Sequence, residues 1–560
     1  LPKAPSAYNP VVNPKRAKVR QQYILQRMHM LGYINDADFS KAQQEELVIK
    51  TDSSEFGVHA EYVAEMARQL AYEQFKEETY TRGLNVFTTI TKADQDAAYL
   101  ALRRGVMDYE KRHGYRGPEG YMDVPAAEAE IENAIEVELA DHANSDDIVA
   151  AVVLDASPKS VRAVLSSGEE ITITGPALSF AATALGPKAA PNKRVRRGAV
   201  IRVMLEGKSW VITQMPEVES AFVAANTEDG SIRALIGGFD FNRNKFNHVT
   251  QAWRQPGSSF KPFIYSASLE KGLSPATVIN DAPISFDAGQ TGGQAWEPKN
   301  YDGKYEGPMT MRKGLTKSKN MISIRILQKI GAKYGQEYST RFGFDAAKNP
   351  AYLTLALGAG AVTPLQMAGA YAVFANGGYK VSPYLISRIS DSEGRVLSQV
   401  KPDKAGDQAN RVIDERNAYM MDSMLKDVVR FGTATKALSL KRTDLAGKTG
   451  TTNDSVDAWF AGYHPKIVGV AWIGYDQPKN MGNKETGGGL ALPIWIGYMQ
   501  KVLKDLPTEE RALPEGLIQG TGDLYYAENP PGAGVRSLGL SERPAPAEEA
   551  TRDEVKNELF

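Results

Sequence analysis

Residues 1 to 80 read as mainly helical. Val19, Tyr23, Ile24, Arg27, Met28 and Leu31 keep to one helical stripe that stops at Gly32, a second helix follows from Asp36, and a third runs from about His59 to Lys76. At 84–90 the pattern switches to β-branched and aromatic residues, Leu-Asn-Val-Phe-Thr-Thr-Ile, which predicts a strand. An amphipathic helix carrying Ala97, Leu100, Ala101 and Val106 comes next, and strand and helix together open a new domain over 81–129. From 130 to 215 short alternating runs at 148–155, 160–166, 169–174, 198–206 and 208–214 are broken by Ser-Pro, Ser-Gly and Glu-Gly turns; five short strands predict a small barrel of OB type.

The longest stretch, 216–506, begins and ends with hairpins. Ala221 to Asn226 and Ser231 to Ile236 are joined through Asp229-Gly230, a strong turn signal, and Ala458 to Tyr463 and Ile467 to Tyr475 turn around His464-Pro465. Between them lie helices, one with Thr363 as its cap, Pro364 in first position and Gly377-Gly378 at its end. A final apolar helix runs from about Ala491 to Leu503. Strands, helices and strands again predict an antiparallel sheet flanked by helices, so the fold class is multidomain α+β with a small OB-like barrel and an N-terminal helical linker. Beyond Pro507 the chain turns rich in Pro, Gly and acidic residues; 507–560 reads as a tail, with at least 540–560 disordered.

Composition narrows the chemistry. Lys and Arg number 66 against 67 Asp and Glu, so the overall charge balance creates no long-range positive field and nucleic acid is not an expected partner. The chain has no Cys, which excludes disulfides, thiolate metal sites and thiol catalysis. Its six His residues never fall at i, i+4 spacing, so no paired-histidine zinc site is expected, and no cofactor either. No apolar run approaches the roughly 20 residues of a membrane helix. The basic run Lys193, Arg194, Arg196 and Arg197 reads as a solvated loop.

Ser-x-x-Lys occurs four times, at Ser258/Lys261, Ser268/Lys271, Ser398/Lys401 and Ser423/Lys426, and context must choose among them. Only in Arg254-Gln255-Pro256-Gly257-Ser258-Ser259-Phe260-Lys261-Pro262 does a proline fix a helix start beside the serine. Ser258 then lies at the positive end of the helix dipole, among backbone N–H groups able to bind an oxyanion, with Lys261 one turn along. The other three serines read as surface residues. A serine needs a base, and a lysine serves only where burial or a second cation lowers its pKa. Lys448-Thr449-Gly450-Thr451-Thr452 supplies that cation on a predicted sheet edge, where Gly450 lets a substrate backbone approach. A phosphate loop is excluded there, since the glycine it requires is replaced by Arg442. The third element is Ser318-Lys319-Asn320, between a short helix capped by Thr310 and an apolar one from Met321 to Ile330.

Ser-x-x-Lys, Ser-x-Asn and Lys-Thr-Gly in this order are the trio of β-lactamases and penicillin-binding proteins. With the flanking phrases Asn300-Tyr301-Asp302-Gly303 and Asp457-Ala458-Trp459-Phe460, the chain resembles a bifunctional class A penicillin-binding protein of the Gram-negative type with an OB-like insert, over nearly its whole length. The resemblance implies a DD-transpeptidase: Ser258 attacks the D-alanyl-D-alanine carbonyl, Lys261 accepts its proton, and Ser318 and Asn320 relay protons and hold the peptide. It also implies that Lys448, Thr449 and Thr451 bind the terminal carboxylate, with Gly450 and Thr452 beside them, and that the oxyanion hole is the backbone N–H of Ser258 and of Thr451. Peptidoglycan stem peptides, donor and acceptor, and β-lactam antibiotics are the implied ligands. Leu1-Pro2-Lys3-Ala4-Pro5-Ser6-Ala7-Tyr8-Asn9-Pro10 looks like the end of the family's glycosyltransferase domain. Lipid II, an N-terminal anchor at the periplasmic face of the inner membrane and an outer-membrane activator are then expected of the parent protein. The rival readings are a carboxypeptidase or β-lactamase, in which water finishes the reaction, and a β-lactam-binding sensor or scaffold; a scaffold has no need of Ser258 and Lys448 together.

Overall fold

The computed structural model describes residues 10, 14–45, 57–288 and 294–540, and the chain divides into two compact units, Leu1–Gly57 with Met107–Glu217 and Val58–Val106 with Val218–Phe560. The opening phrase, apart from Pro10, and the segment 541–560 expected to be disordered lie outside the described residues. No described helix is long and apolar enough to cross a membrane.

In the first unit the predicted strands form, as Val149–Ser157, Ser160–Leu165, Glu170–Thr174, Ala199–Glu206 and Ser209–Thr213, and the two-residue strand Gly120–Tyr121 adds to them. Period-2 alternation gives this sheet two buried faces. Ala151, Val153, Ile201 and Val203 enter one core with Val161, Ala163, Ile171 and Ile173, while Ala150, Val152 and Val200 meet Ile135 and Leu139 of the helix Glu128–Leu139. Of the basic run, Arg196 lies over the Tyr121 ring at 4.3 Å and Arg197 donates to the Leu154 carbonyl.

The second unit is built on a five-stranded sheet in the order Ala446–Thr451, Asp457–His464, Ile467–Gly474, Glu219–Asn226, Ile232–Ile236, antiparallel throughout. The two predicted hairpins supply four of these strands. On one face Phe460 and Phe222 meet Trp495 and Tyr498 of the helix Ala491–Val502, which also crowds Gly469. On the other, Tyr463 donates to Asp422 of the helix Glu415–Phe431. The helix Pro364–Asn376 starts in a full capping box at Thr363 and ends on left-handed Gly377, as its sequence predicts. The strand at 84–90 forms as Asn85–Thr88, in a separate sheet with Ile386–Ser390 and Val396–Gln399.

All nine residues of the helix Lys261–Leu269 are buried. Phe263 anchors it, 4.8 to 5.5 Å from the rings of Phe260, Phe342, Phe344, Tyr371 and Phe374. Burial on every side corrects the expectation that Ser268 is a surface residue: it is fully buried, and its hydroxyl donates to the Tyr265 carbonyl. Ser398 and Ser423 are half-buried rather than exposed, and the Ser423 hydroxyl accepts from Arg312.

The tail after Pro507 is folded as far as residue 540, ahead of the segment expected to be disordered. Arg442 donates to the carbonyls of Leu506 and Pro507, and its partner Asp444 accepts from the Glu509 N–H, which straps the chain to the base of the Lys448 strand. Leu517–Gly520 and Asp523–Tyr526 then form a hairpin, and Ser537–Leu538 pairs in parallel with Val278–Asp281. Polar composition hid these elements because few apolar residues, Leu517, Leu524 and Tyr526, are buried there, and ion pairs to Arg312 and Arg416 and the pairing with Val278–Asp281 come from far away in the chain. Replacing Asp444 with Ala leaves the Arg442 guanidinium unpaired and mostly buried, so urea unfolding should show a loss of about 3 kcal/mol. A change below about 0.5 kcal/mol would mean that the strap is held elsewhere.

Candidate active site

The chain around Ser258 folds as a 3-10 turn, Gly257–Phe260, that runs into the α-helix at Lys261. Pro262 at the head of the helix explains the break: it has no N–H to give to an earlier turn. Ser258 is half-exposed and lines a cleft of about 820 Å³. Ser259, its neighbour, is fully buried and donates its hydroxyl to Pro256 O at 2.7 Å, so it is not available to a ligand.

Lys448 follows from sheet parity. It stands opposite Ala461 in the ladder and so shares the face of Trp459 and Tyr463, turned toward the Ser258 turn. Its Nζ, fully buried, donates to Ser318 Oγ at 2.8 Å and to the Thr449 carbonyl at 3.0 Å. Lys261, equally buried, reaches Ser318 O at 2.7 Å, Asn320 Oδ1 at 2.8 Å and Ser318 Oγ at 3.4 Å. One hydroxyl therefore separates two amines. Burial holds the Lys261 amine well below its ordinary pKa of 10.5, and the Lys448 charge pushes it further the same way against a smaller opposing pull from Asp281. Burial alone brings Lys448 to about 7.

Ser318 takes a left-handed backbone, φ +58°, rare outside glycine and costly for a serine. Its neighbours hold it there: Ser318 N–H donates to Leu315 O and Lys319 N–H to Gly314 O. Lys319, between the two motif residues, is only 3% exposed and pairs with Asp281, Asp302 and Glu306 at 3.1 to 3.5 Å. Asn320 closes the arrangement by donating Nδ2 to Lys299 O, and its N–H to Asn300 Oδ1, which ties the motif to the cleft wall at 296–302.

The third motif lies on an edge strand, as expected, and Thr449, Thr451 and Thr452 line the cleft. Gly450 does not. Its lack of a side chain serves the chain's own turn: a Cβ on Gly450 would lie 2.3 Å from Pro256 O and 2.9 Å from Ser259 Oγ. The Thr451 hydroxyl accepts from Gly487 N–H at 3.1 Å, and that of Thr452 from Asp457 N–H at 2.8 Å.

Three other cleft residues carry no sequence signal. Thr433, 2.6 Å from the Thr449 hydroxyl, follows a helix end with no motif around it. Trp296 and Thr486 lie in connections outside every motif, whereas Tyr301 belongs to the flanking phrase Asn300-Tyr301-Asp302-Gly303. The arrangement gathers two amines of lowered pKa around one serine hydroxyl, beside a cleft that Ser258, Thr449 and Thr451 line. Removing the Lys448 charge, as in Lys448→Met, should move the Lys261 amine back toward its ordinary pKa, read by NMR titration of labelled lysine; an unmoved or lowered value would leave burial as the only cause.

Known proteins share this architecture. Residues 220–495 match the penicillin-binding protein transpeptidase domain and 115–218 the penicillin-binding protein OB-like domain. Penicillin-binding protein 1A of Neisseria lactamica is 48% identical over 94% of this chain and 66% of its own length; that of Neisseria flavescens is 46% identical over 99% and 69%, and that of Pseudomonas aeruginosa 39% identical over 92% and 69%. The chain thus spans about two thirds of the length of these curated relatives. The crystal structure of penicillin-binding protein 1A from Haemophilus influenzae superposes with a TM-score of 0.81 at 34% identity, covering 94% of this chain and 84% of that one. PonA1 of Mycobacterium tuberculosis, solved with penicillin V, shares the fold at 21% identity and a TM-score of 0.54, covering 84% of this chain and 98% of that one.

Proposed function

The chain belongs to the penicillin-binding protein 1A family, and on that premise we propose that the cleft cross-links peptidoglycan stem peptides through an acyl-enzyme on Ser258. The family is one of serine-type D-Ala-D-Ala transpeptidases, and β-lactams acylate the same serine in place of the donor peptide. The observation that carries the residue assignment is the bonding of Lys261. A neutral amine has two N–H groups and one lone pair. In the neutral form the two hydrogens go to the shorter bonds, Ser318 O and Asn320 Oδ1 at 2.7 and 2.8 Å, and the lone pair faces the Ser318 hydroxyl at 3.4 Å, ready to take a proton.

In this reading the Ser258 oxygen attacks the penultimate D-Ala carbonyl as its proton passes to Lys261. The terminal D-Ala nitrogen is then protonated through Ser318, which touches both amines, and leaves. The oxyanion is held by the backbone N–H groups of Ser258 and Thr451, donors fixed in place before charge develops. Thr449 and Thr451 bind the terminal carboxylate, with Lys448 adding its charge behind them. An acceptor amine then attacks the ester, the proton returns by the same path, and the cross-link forms. Asn320 keeps both the base and the 299–300 backbone in place.

Further roles are proposed for the parent protein on the family relationship alone. These are glycan polymerisation on lipid II, an anchor holding the enzyme at the periplasmic face of the inner membrane, and activation by an outer-membrane protein.

Ser258→Ala should abolish covalent labelling by a fluorescent penicillin with the fold intact; persistent labelling would place the nucleophile elsewhere. Lys261→Ala should slow acylation about 10³-fold, the scale of a lost general base, and near-normal acylation would remove Lys261 from that role.

A further inference from the structure

Two phrases beside the trio take no part in the chemistry above: Arg254-Gln255-Pro256-Gly257 ahead of Ser258, and Asp457-Ala458-Trp459-Phe460 after the Lys448 strand. The fold joins them. Arg254 Nε donates to Asp457 Oδ1 at 2.7 Å, with the two side chains only 11% and 7% exposed. Trp472 Nε1 donates to the same oxygen at 2.9 Å, and the Arg254 guanidinium lies 5.3 Å from the Trp472 ring. Trp459 Nε1 donates to the Gln255 carbonyl at 2.8 Å.

Each end of this link is bonded to one side of the site. Asp457 and Thr452 are doubly bonded, the Asp457 N–H donating to the Thr452 hydroxyl and the Thr452 N–H to the Asp457 carbonyl, which holds the end of the Lys448 strand. Arg254 exchanges both backbone bonds with Val362, while Gly257 N–H donates to Gly358 O, which holds the nucleophile turn. Between the two sides the backbones touch. A Cβ on Gly257, which has φ +54°, would lie 2.6 Å from Thr451 O. With backbone against backbone, a shift of either segment passes undamped to its neighbour.

We propose that Arg254 and Asp457 are positioning residues whose buried ion pair sets the spacing between the nucleophile turn and the end of the Lys448 strand, and with it the spacing of the Ser258 and Thr451 N–H groups. The proposal rests on the assignment of those two groups to the oxyanion. Neither side chain lines the cleft, so neither touches substrate. Their effect is on the transition state, where the oxygen moves out of the carbonyl plane and needs both donors at fixed positions.

The test is rapid-mixing kinetics of acylation by a fluorescent penicillin on the whole chain, separating the affinity of the first complex from the rate constant of acylation. The active fraction is counted at the end point, and thermal unfolding is followed in parallel. Asp457→Asn and Arg254→Gln should each lower the acylation rate constant about 10²-fold with affinity changed less than about threefold, the cost expected of a donor displaced by roughly an ångström. The double variant should be no slower than the slower single one, because each breaks the same link. Arg254→Lys should recover part of the rate, since it restores the charge without the guanidinium fork. Asp457→Asn is isosteric and removes the charge of the pair while keeping Oδ1 for Trp472 and Arg254 alike, so Asp457→Leu, which also removes that acceptor, should be at least as slow and remains decisive should Arg254→Gln fail to fold. A wild-type rate constant in the active fraction, or a loss confined to affinity, overturns the proposal. Labelling that survives Ser258→Ala would instead overturn the nucleophile assignment.

Discussion

Lys261 and Lys448 are both buried, and their ammonium groups converge on the hydroxyl of Ser318. Burial and the nearby Lys448 charge together hold the Lys261 pKa down, and an amine so placed is suited to act as a base. Much of the local structure serves this crowding. Ser318 accepts a strained left-handed backbone to place its oxygens toward both amines, and Lys319 holds that backbone by ion pairs with three carboxylates. The strain lies where the proton must move.

The edge of the sheet provides the second constraint. Lys448 reaches Ser318 only because the strand parity that buries Trp459 and Tyr463 also turns Lys448 inward, and the nucleophile turn can sit against that strand only because Gly257 and Gly450 leave no side chain between them. The aromatic cluster around Phe263 fixes the helix behind the turn. Lys261, Ser318 and Ser258 are thus positioned from three different segments, each held for its own reason.

What can be read from the chain alone follows the range of the interactions involved. The hairpin turn at Asp229-Gly230, the capping box at Thr363 and the helix start at Pro262 depend on a few adjacent residues, and they form as expected. The trio is legible because its order and context are jointly rare. The burial of Ser268 is not, since a serine inside a helix says nothing of what covers it. The folded part of the tail escapes notice because bonds from Arg442 and Val278 hold it, residues far away in the chain. Gly450 suggests room for a substrate, while the neighbour that needs its space is the protein's own Pro256, and Thr433 has no motif to mark it.

The chemistry of the cleft requires a lysine that is neutral at the pH where the enzyme works. The most direct measurement is the rate constant for acylation of the wild-type chain by a penicillin, followed from pH 5 to about 10. With Lys261 as a base of lowered pKa, the rate climbs as pH rises and levels off well below the ordinary lysine value of 10.5. A rate that kept climbing tenfold per pH unit up to that value would contradict this, because the base would then be a lysine that burial and its neighbour had left unchanged.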